Sequence, residues 1–273
     1  MLYDKRDAPR RLSKEEMEWR KDRMTLDRAF SRAGVMSRSD AVDRIVAGRV
    51  VVNDTIVTEP GTWVSPGEDR IACDGRKLRF RKRVYFALHK PVGFVTSYGD
   101  PEGRRTIYEL LPSETGWVFP VGRLDKSTSG LLILTNDADF GDALADPDSG
   151  VPKTYLLTVN FEPSPEQLES LRTGVVLKDG YRTGPSAVAF VGRERGKVIL
   201  EMVLHEGKNR QIRRMIESLG GKVLTLARTH IGGLALGDLT IGSCRKLEPE
   251  ELALLMPPVP PDGGPAAGSG EQE

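Results

Sequence analysis

Cysteine is nearly absent: Cys73 and Cys244 are the only two in 273 residues. They fit no metal-ligand spacing, and one pair makes no disulfide framework, so buried free thiols in a reducing compartment are expected. No apolar stretch is long enough to span a bilayer, so no membrane contact is expected. The opening segment MLYDKRDAPRRLSKEEMEWR has no apolar centre; it does not read as a signal peptide, and the expected location is the cytoplasm. Net charge is also scarce, since 40 Lys and Arg against 39 Asp and Glu leave a formal +1. That balance conceals segregation. Arg76, Lys77, Arg79, Arg81, Lys82 and Arg83 form one acid-free run. Lys208, Arg210, Arg213 and Arg214 form a basic knot beside Glu206, whereas Asp142, Asp146 and Asp148 gather elsewhere. Charge sorted in this way suits contact with a polyanion.

The length allows one large domain and one small one, and a hydrophobic content of 38% allows a packed core. Residues 1–23 form a polar, mixed-charge extension, and the Pro- and Gly-rich residues 257–273 have almost nothing to bury. Residues 24–71 read as a compact unit. Leu26, Ala29, Phe30 and Ala33 repeat at helical spacing and Gly34 follows as a C-terminal stop. Ser37, with Asp40 three residues on, opens a second helix whose apolar face is Ala41, Val42, Ile45 and Val46. Val50–Val52 reads as a strand, Asn53 and Asp54 as a turn, and Thr55–Thr58 as the return strand. Residues 72–83 carry the basic run and read as a linker. From 84 to 256 the strand-like runs VYFAL, LLILT, TYLLTV and VILEMVL do not alternate regularly with the helical runs SPEQLESLRTG and NRQIRRMIESLG, which predicts an α+β fold.

The stretch LDRAFSRAGVMSRSDAVDRIVAGRVVVNDTIV resembles an S4 domain, a small RNA-binding module of two helices and a hairpin. Charge alone reads its arginines as a solvated helix face paired with Asp27, Asp40 and Asp43. The resemblance instead implies that Arg28, Arg32, Arg38, Arg44 and Arg49 contact phosphates.

The richest segment chemically is FPVGRLDKSTSGLLILTND, from Phe119. Gly122 permits close approach of backbone to a ligand. Asp125 sits in a turn of small and polar residues between Arg123 and the hydroxyls of Thr128 and Ser129, where a carboxylate can be aimed as a nucleophile or base. An aspartyl-phosphate loop is the rival chemistry, but the residue two places on is Ser127, and no acids cluster there to hold magnesium. GRLDKSTSGLLILTND resembles the motif of pseudouridine synthases, in the branch that carries an S4 domain and modifies ribosomal RNA; HKPVGFVTS, from His89, resembles the entry to their catalytic domain. The likeness covers roughly residues 24–255. It implies a mixed, largely antiparallel catalytic sheet, no cofactor and no metal. It also implies Asp125 as nucleophile, Tyr155 of PKTYLLTV as the active-site tyrosine, and Arg213 of EGKNRQIRRM as the basic residue that pairs with Asp125.

Spacing offers independent expectations. With Asn209 as N-cap, a helix from Arg210 puts Ile212, Met215, Ile216 and Leu219 on one face. Arg210 and Arg214 then lie opposite, towards solvent or RNA, and Arg213 at the border, within reach of a half-buried carboxylate in a bidentate contact. Lys208, Arg210 and Arg214 are further candidates for phosphate contact, and the family resemblance implies that Arg123 fills the space left by an extruded nucleotide. In an alternating strand Tyr155 reads as core or cross-strand packing; the functional reading is a ring stacked on the target base, with its hydroxyl close enough to take part in proton transfer. SYGDPEGRRTIYELLP, from Ser97, resembles the large-subunit enzymes of this branch more than the small-subunit one, which implies 23S rRNA or a pre-ribosomal particle as partner, with 16S rRNA the alternative target. A monomer is expected. The competing class is a non-catalytic RNA-binding or ribosome-assembly factor.

Overall fold

A computed structural model of the protein describes residues 23–80 and 82–255. The expected C-terminal tail, nearly all of the N-terminal extension and Arg81 lie outside the described residues. Two compact units are present. Among described residues the first holds 23–85, 112–120 and 134–141, and the second holds 86–111, 121–133 and 142–255.

In the first unit, β1 (Met24–Thr25) leads into α1 (Leu26–Arg32), and α2 (Arg38–Val46) follows. Gly34, at φ +68°, takes the left-handed step after α1. The Ser37 hydroxyl caps α2 by accepting the Asp40 amide at 3.0 Å. Leu26, Ala29, Phe30, Ala41 and Ile45 close one core with Val50 and Ile71. β2 (Val50–Val52) turns through Asn53 and Asp54, both at positive φ, into β3 (Thr55–Ile56), shorter than the expected return strand. β4 (Trp63–Val64) pairs with β1.

The expected linker is in part a hairpin. β5 (Ile71–Cys73) turns at Asp74 and Gly75 into β6 (Arg76–Lys77), antiparallel to it, and Leu78 and Phe80 pack on the core. Side-chain bonds from Asn136 then tie down Val84 and the Lys82 carbonyl. The basic run is therefore anchored through much of its length. Among its described residues, Arg76 and Lys77 are exposed and Arg83 pairs with Asp137 at 3.2 Å.

The larger sheet contains β7 (Tyr85–Lys90), β8 (Phe119–Val121), β9 (Ser129–Thr135), β10 (Lys153–Val159), β11 (Ala187–Glu194), β12 (Lys197–Leu204), β13 (Val223–Ile231), β14 (Leu234–Ala235) and β15 (Cys244–Lys246). Its main path runs β11-β12-β10-β13-β9-β7-β15. β10 meets β12 and β13 antiparallel, whereas β13 meets β9 in parallel. The helices are α3 (Ala138–Ala145), α4 (Pro165–Thr173), α5 (Gln211–Ser218) and α6 (Pro249–Leu255). Ser164 and Gln167 form a capping box that starts α4. Leu171 of α4 and Ile212, Met215 and Ile216 of α5 bury against Leu157, Leu200 and Met202 of the sheet. The fold is α+β with a mixed, mostly antiparallel sheet. Cys73 is buried, but Cys244 is only partly so.

Candidate active site

The turn that carries Asp125 is built from backbone outward. After β8, Gly122 takes φ +70°. Leu124 is buried, and the Thr96 hydroxyl donates to its carbonyl at 2.8 Å while accepting its amide at 3.3 Å. The Thr128 amide closes the turn on the Asp125 carbonyl at 3.0 Å, and β9 begins at the next residue. Beneath the turn lies Lys90, fully buried. Its ammonium donates to the carbonyls of Pro91 (3.1 Å), Asp125 (3.1 Å) and Thr128 (2.9 Å). Burial pushes its pKa down to about 8, opposed by the charge of Asp125, so at neutral pH it is still a cation with three protons for three carbonyls.

Sequence reasoning missed Lys90. Its signal was a lysine closing an otherwise apolar strand in the segment HKPVG. Lys90→Met keeps the volume but takes the donor from the Pro91 and Thr128 carbonyls, while the Asp125 carbonyl keeps the Thr128 amide, at about 1–3 kcal/mol for each buried group left unsatisfied. The melting temperature is expected to fall by roughly 4 °C or more on that loss. Turnover is expected to fall with it. A calorimetric melt and a rate both matching wild type would show that Lys90 does not hold the turn.

Across the cleft stands Tyr155 on β10. A register shift between Thr154 and Tyr155 re-aims the side chain, which packs beside the sheet core while lining the same cleft as Asp125. The cleft encloses about 610 Å³ and lies within the second unit.

The third wall is the turn between β12 and α5, and here the structure departs from the helical-wheel expectation. α5 starts at Gln211, and its N-cap is Arg210, in the left-handed region at φ 48° and ψ 33°. That backbone reversal sends Arg210 into the cleft, with Nη1 3.9 Å from Asp125 Oδ2. Arg213 does turn inward and is 8% exposed, but the expected bidentate contact is not made. Its guanidinium donates instead to the Ser127 carbonyl at 2.8 Å and the Val223 carbonyl at 3.3 Å. Burial lowers its pKa, as does Arg210, while the charge of Asp125 raises it. Arg213 thus braces the far end of the Asp125 turn, and Arg210 is the cation at the carboxylate.

The remaining candidates divide. Arg123 and Lys208 line the cleft with Arg210. Arg214 lies outside the cleft lining and pairs with Asp179 at 2.5 Å. In the first unit Arg28 and Arg32 line a hollow of about 240 Å³ with Trp63. Arg38 pairs with Asp27, Arg49 with Asp74, and Arg44 bonds the Met36 sulfur and the Asp40 carbonyl. The Arg49–Asp74 pair is exposed on both sides, where such a pair contributes about 1 kcal/mol or less, whereas Asp27 of the Arg38 pair is buried. Among the described residues no three His, Cys, Asp or Glu side chains group to hold a metal, and no helix is long and apolar enough to cross a membrane.

Comparison with known proteins adds an independent finding. A family described as RNA pseudouridylate synthase matches residues 84–218. The chain is 38% identical over 232 residues to ribosomal large subunit pseudouridine synthase B of Bacillus subtilis, covering 84% of this chain and 94% of that one. It is 37% identical over 235 residues to an uncharacterized RNA pseudouridine synthase of Aquifex aeolicus, covering 86% and 94%. A solved pseudouridylate synthase structure superposes with a TM-score of 0.63 at 29% identity, over 85% of this chain and 100% of the other.

Proposed function

This chain belongs to the RNA pseudouridylate synthase family, and from that premise we propose that its cleft isomerises a uridine of large-subunit (23S) ribosomal RNA, with Asp125 as the attacking group. The observation that carries the residue assignment is the meeting of Asp125, Tyr155 and Arg210 on the walls of one cleft of about 610 Å³, within the roughly 300–1,000 Å³ typical of small-ligand sites.

A uridine in folded RNA is extruded into this cleft at a cost of a few kcal/mol. Lys208 at the rim offsets part of that cost by phosphate contact, and Arg123, exposed at the turn, fills the vacated space in the RNA. Asp125 then acts either at the sugar C1′ or on a sugar proton to give a glycal. By either route the C1′–N1 bond breaks, the freed uracil rotates, and C1′–C5 forms. C5 loses its proton and N1 ends protonated, so atoms and electrons balance without an oxidant. Tyr155 stacks on the base during rotation. The arginines of the first unit hold RNA outside the cleft. The enzyme works as a cytoplasmic monomer on rRNA or a pre-ribosomal particle.

The test uses unmodified transcripts of both rRNAs. After incubation with the protein, carbodiimide mapping is expected to reveal a new adduct stop in the large-subunit RNA. A stop only in the small-subunit RNA would transfer the substrate to 16S rRNA. No stop in either, alone or as assembled particles, would remove the assignment.

A further inference from the structure

Besides Asp125, Glu206 is the only acid lining the cleft among the described residues. A carboxylate where phosphates approach opposes binding unless its charge is turned elsewhere. Its oxygens are directed inward. Oε2 accepts the Tyr181 hydroxyl at 2.5 Å; Oε1 accepts the Gly184 amide at 2.8 Å and the Gln211 side-chain amide. Burial works to raise its pKa, but those three donors and the charge of Lys208 overcome it and hold the carboxyl below its ordinary range.

Gln211 carries this anchorage to the turn. Its Oε1 accepts the Lys208 amide at 3.0 Å, and its own amide donates to the Lys208 carbonyl at 3.1 Å. The turn is closed on Gln211 twice, once by its buried side chain and once by its backbone amide. Two more ties join the same elements: the Lys208 ammonium lies 5.4 Å from the centre of the Tyr181 ring, and Arg214 bonds Asp179 at 2.5 Å. Inside this closed turn sits Arg210 with its left-handed backbone. A non-glycine residue adopts that conformation only where its surroundings enforce it.

We propose that Glu206, with Tyr181 behind it, is a positioning residue for the isomerisation: it holds the 207–211 turn in the shape that aims Arg210 at Asp125. This rests on the reading of the Asp125 cleft as the active site. Without the Glu206 carboxylate, Gln211 loses its anchor, Arg210 relaxes to right-handed backbone, and its guanidinium leaves the cleft.

The test is tritium release from rRNA carrying [5-³H]uridine, under single turnover, with RNA affinity measured alongside. Glu206→Ala is expected to slow release roughly tenfold or more, as misplacement of a catalytic group does, with affinity within about twofold. Glu206→Gln recovers most of the rate, since an amide oxygen still accepts from Gly184 and Gln211 and its NH₂ donates to the Tyr181 oxygen. The double variant Glu206→Ala/Arg210→Ala is no slower than Arg210→Ala alone, within about threefold, because both changes remove one function. Losses that multiply in the double variant overturn the proposal, and so does Glu206→Gln as slow as Glu206→Ala. If Glu206→Ala does not fold, Tyr181→Phe serves: it keeps the ring and drops one bond, and a rate loss that disappears in the Arg210→Ala background is expected. Wild-type rate for Tyr181→Phe overturns the proposal. Wild-type protein that releases no tritium overturns the active-site reading itself, before any variant is compared.

Discussion

Gly130→Ala is expected to leave little folded protein. Gly130 sits at φ +113°, the second residue of β9, where β9 lies parallel to β13 with Gly130 opposite Arg228. A Cβ there meets the Arg228 backbone, at 2.2 Å from its carbonyl oxygen and 2.5 Å from its nitrogen. Backbone cannot rotate away as a side chain can. Arg228 is further held because its buried guanidinium donates to the Leu131 carbonyl at 2.8 Å. Overpacking costs about 1–3 kcal/mol even where side chains can yield, and here the φ penalty adds to it. A fall in melting temperature of at least about 10 °C, or insoluble protein, is the expected result in a circular-dichroism melt. Gly237→Ala separates the two causes. Gly237 has φ +59° but open space around the added Cβ, so about 1 kcal/mol and a shift of roughly 2–4 °C are expected. Equal losses in the two variants would show that the collision with Arg228 does not matter.

Much of the first unit was legible because its signals are local. Ser37 followed by Asp40, and Gly34 after an apolar helical stripe, are cap chemistry that no distant contact overrides. The second hairpin was missed although Asp74-Gly75 is a hairpin signal, because the dense basic run after it reads as solvated linker. β13 was hidden for a related reason. Its sequence VLTLARTHI carries an arginine and a histidine, and only the tertiary setting shows that Arg228 is buried. The apolar stripe of α5 followed from spacing, as did the inward turn of Arg213. Nothing local says that Arg210 is left-handed, since arginine has no preference for that region. Its conformation is imposed by Gln211 and Glu206, which are themselves held by a loop more than twenty residues upstream. Lys90 illustrates the same limit. Its depth depends on the Asp125 turn folding over it, from 35 residues further along the chain.

Asp125→Asn tests the chemistry without disturbing this frame. The turn is held through the Asp125 carbonyl, by Thr128 and Lys90, and not through the carboxylate. Asparagine has the same shape, so the fold and the cleft persist, and RNA affinity is expected to stay within about threefold, favoured slightly by loss of a negative charge near phosphates. What disappears is the oxygen nucleophile or base. Removing an attacking group of this kind lowers turnover by about 10⁴-fold or more. The most direct measurement is a single-turnover count of tritium freed from large-subunit rRNA labelled at uridine C5, for wild-type protein and the Asp125→Asn variant at saturating enzyme. The expected outcome is complete release at the modified site for wild type and none above background for the variant, with the RNA still bound. Release by Asp125→Asn at the wild-type rate would mean that the chemistry happens without this carboxylate.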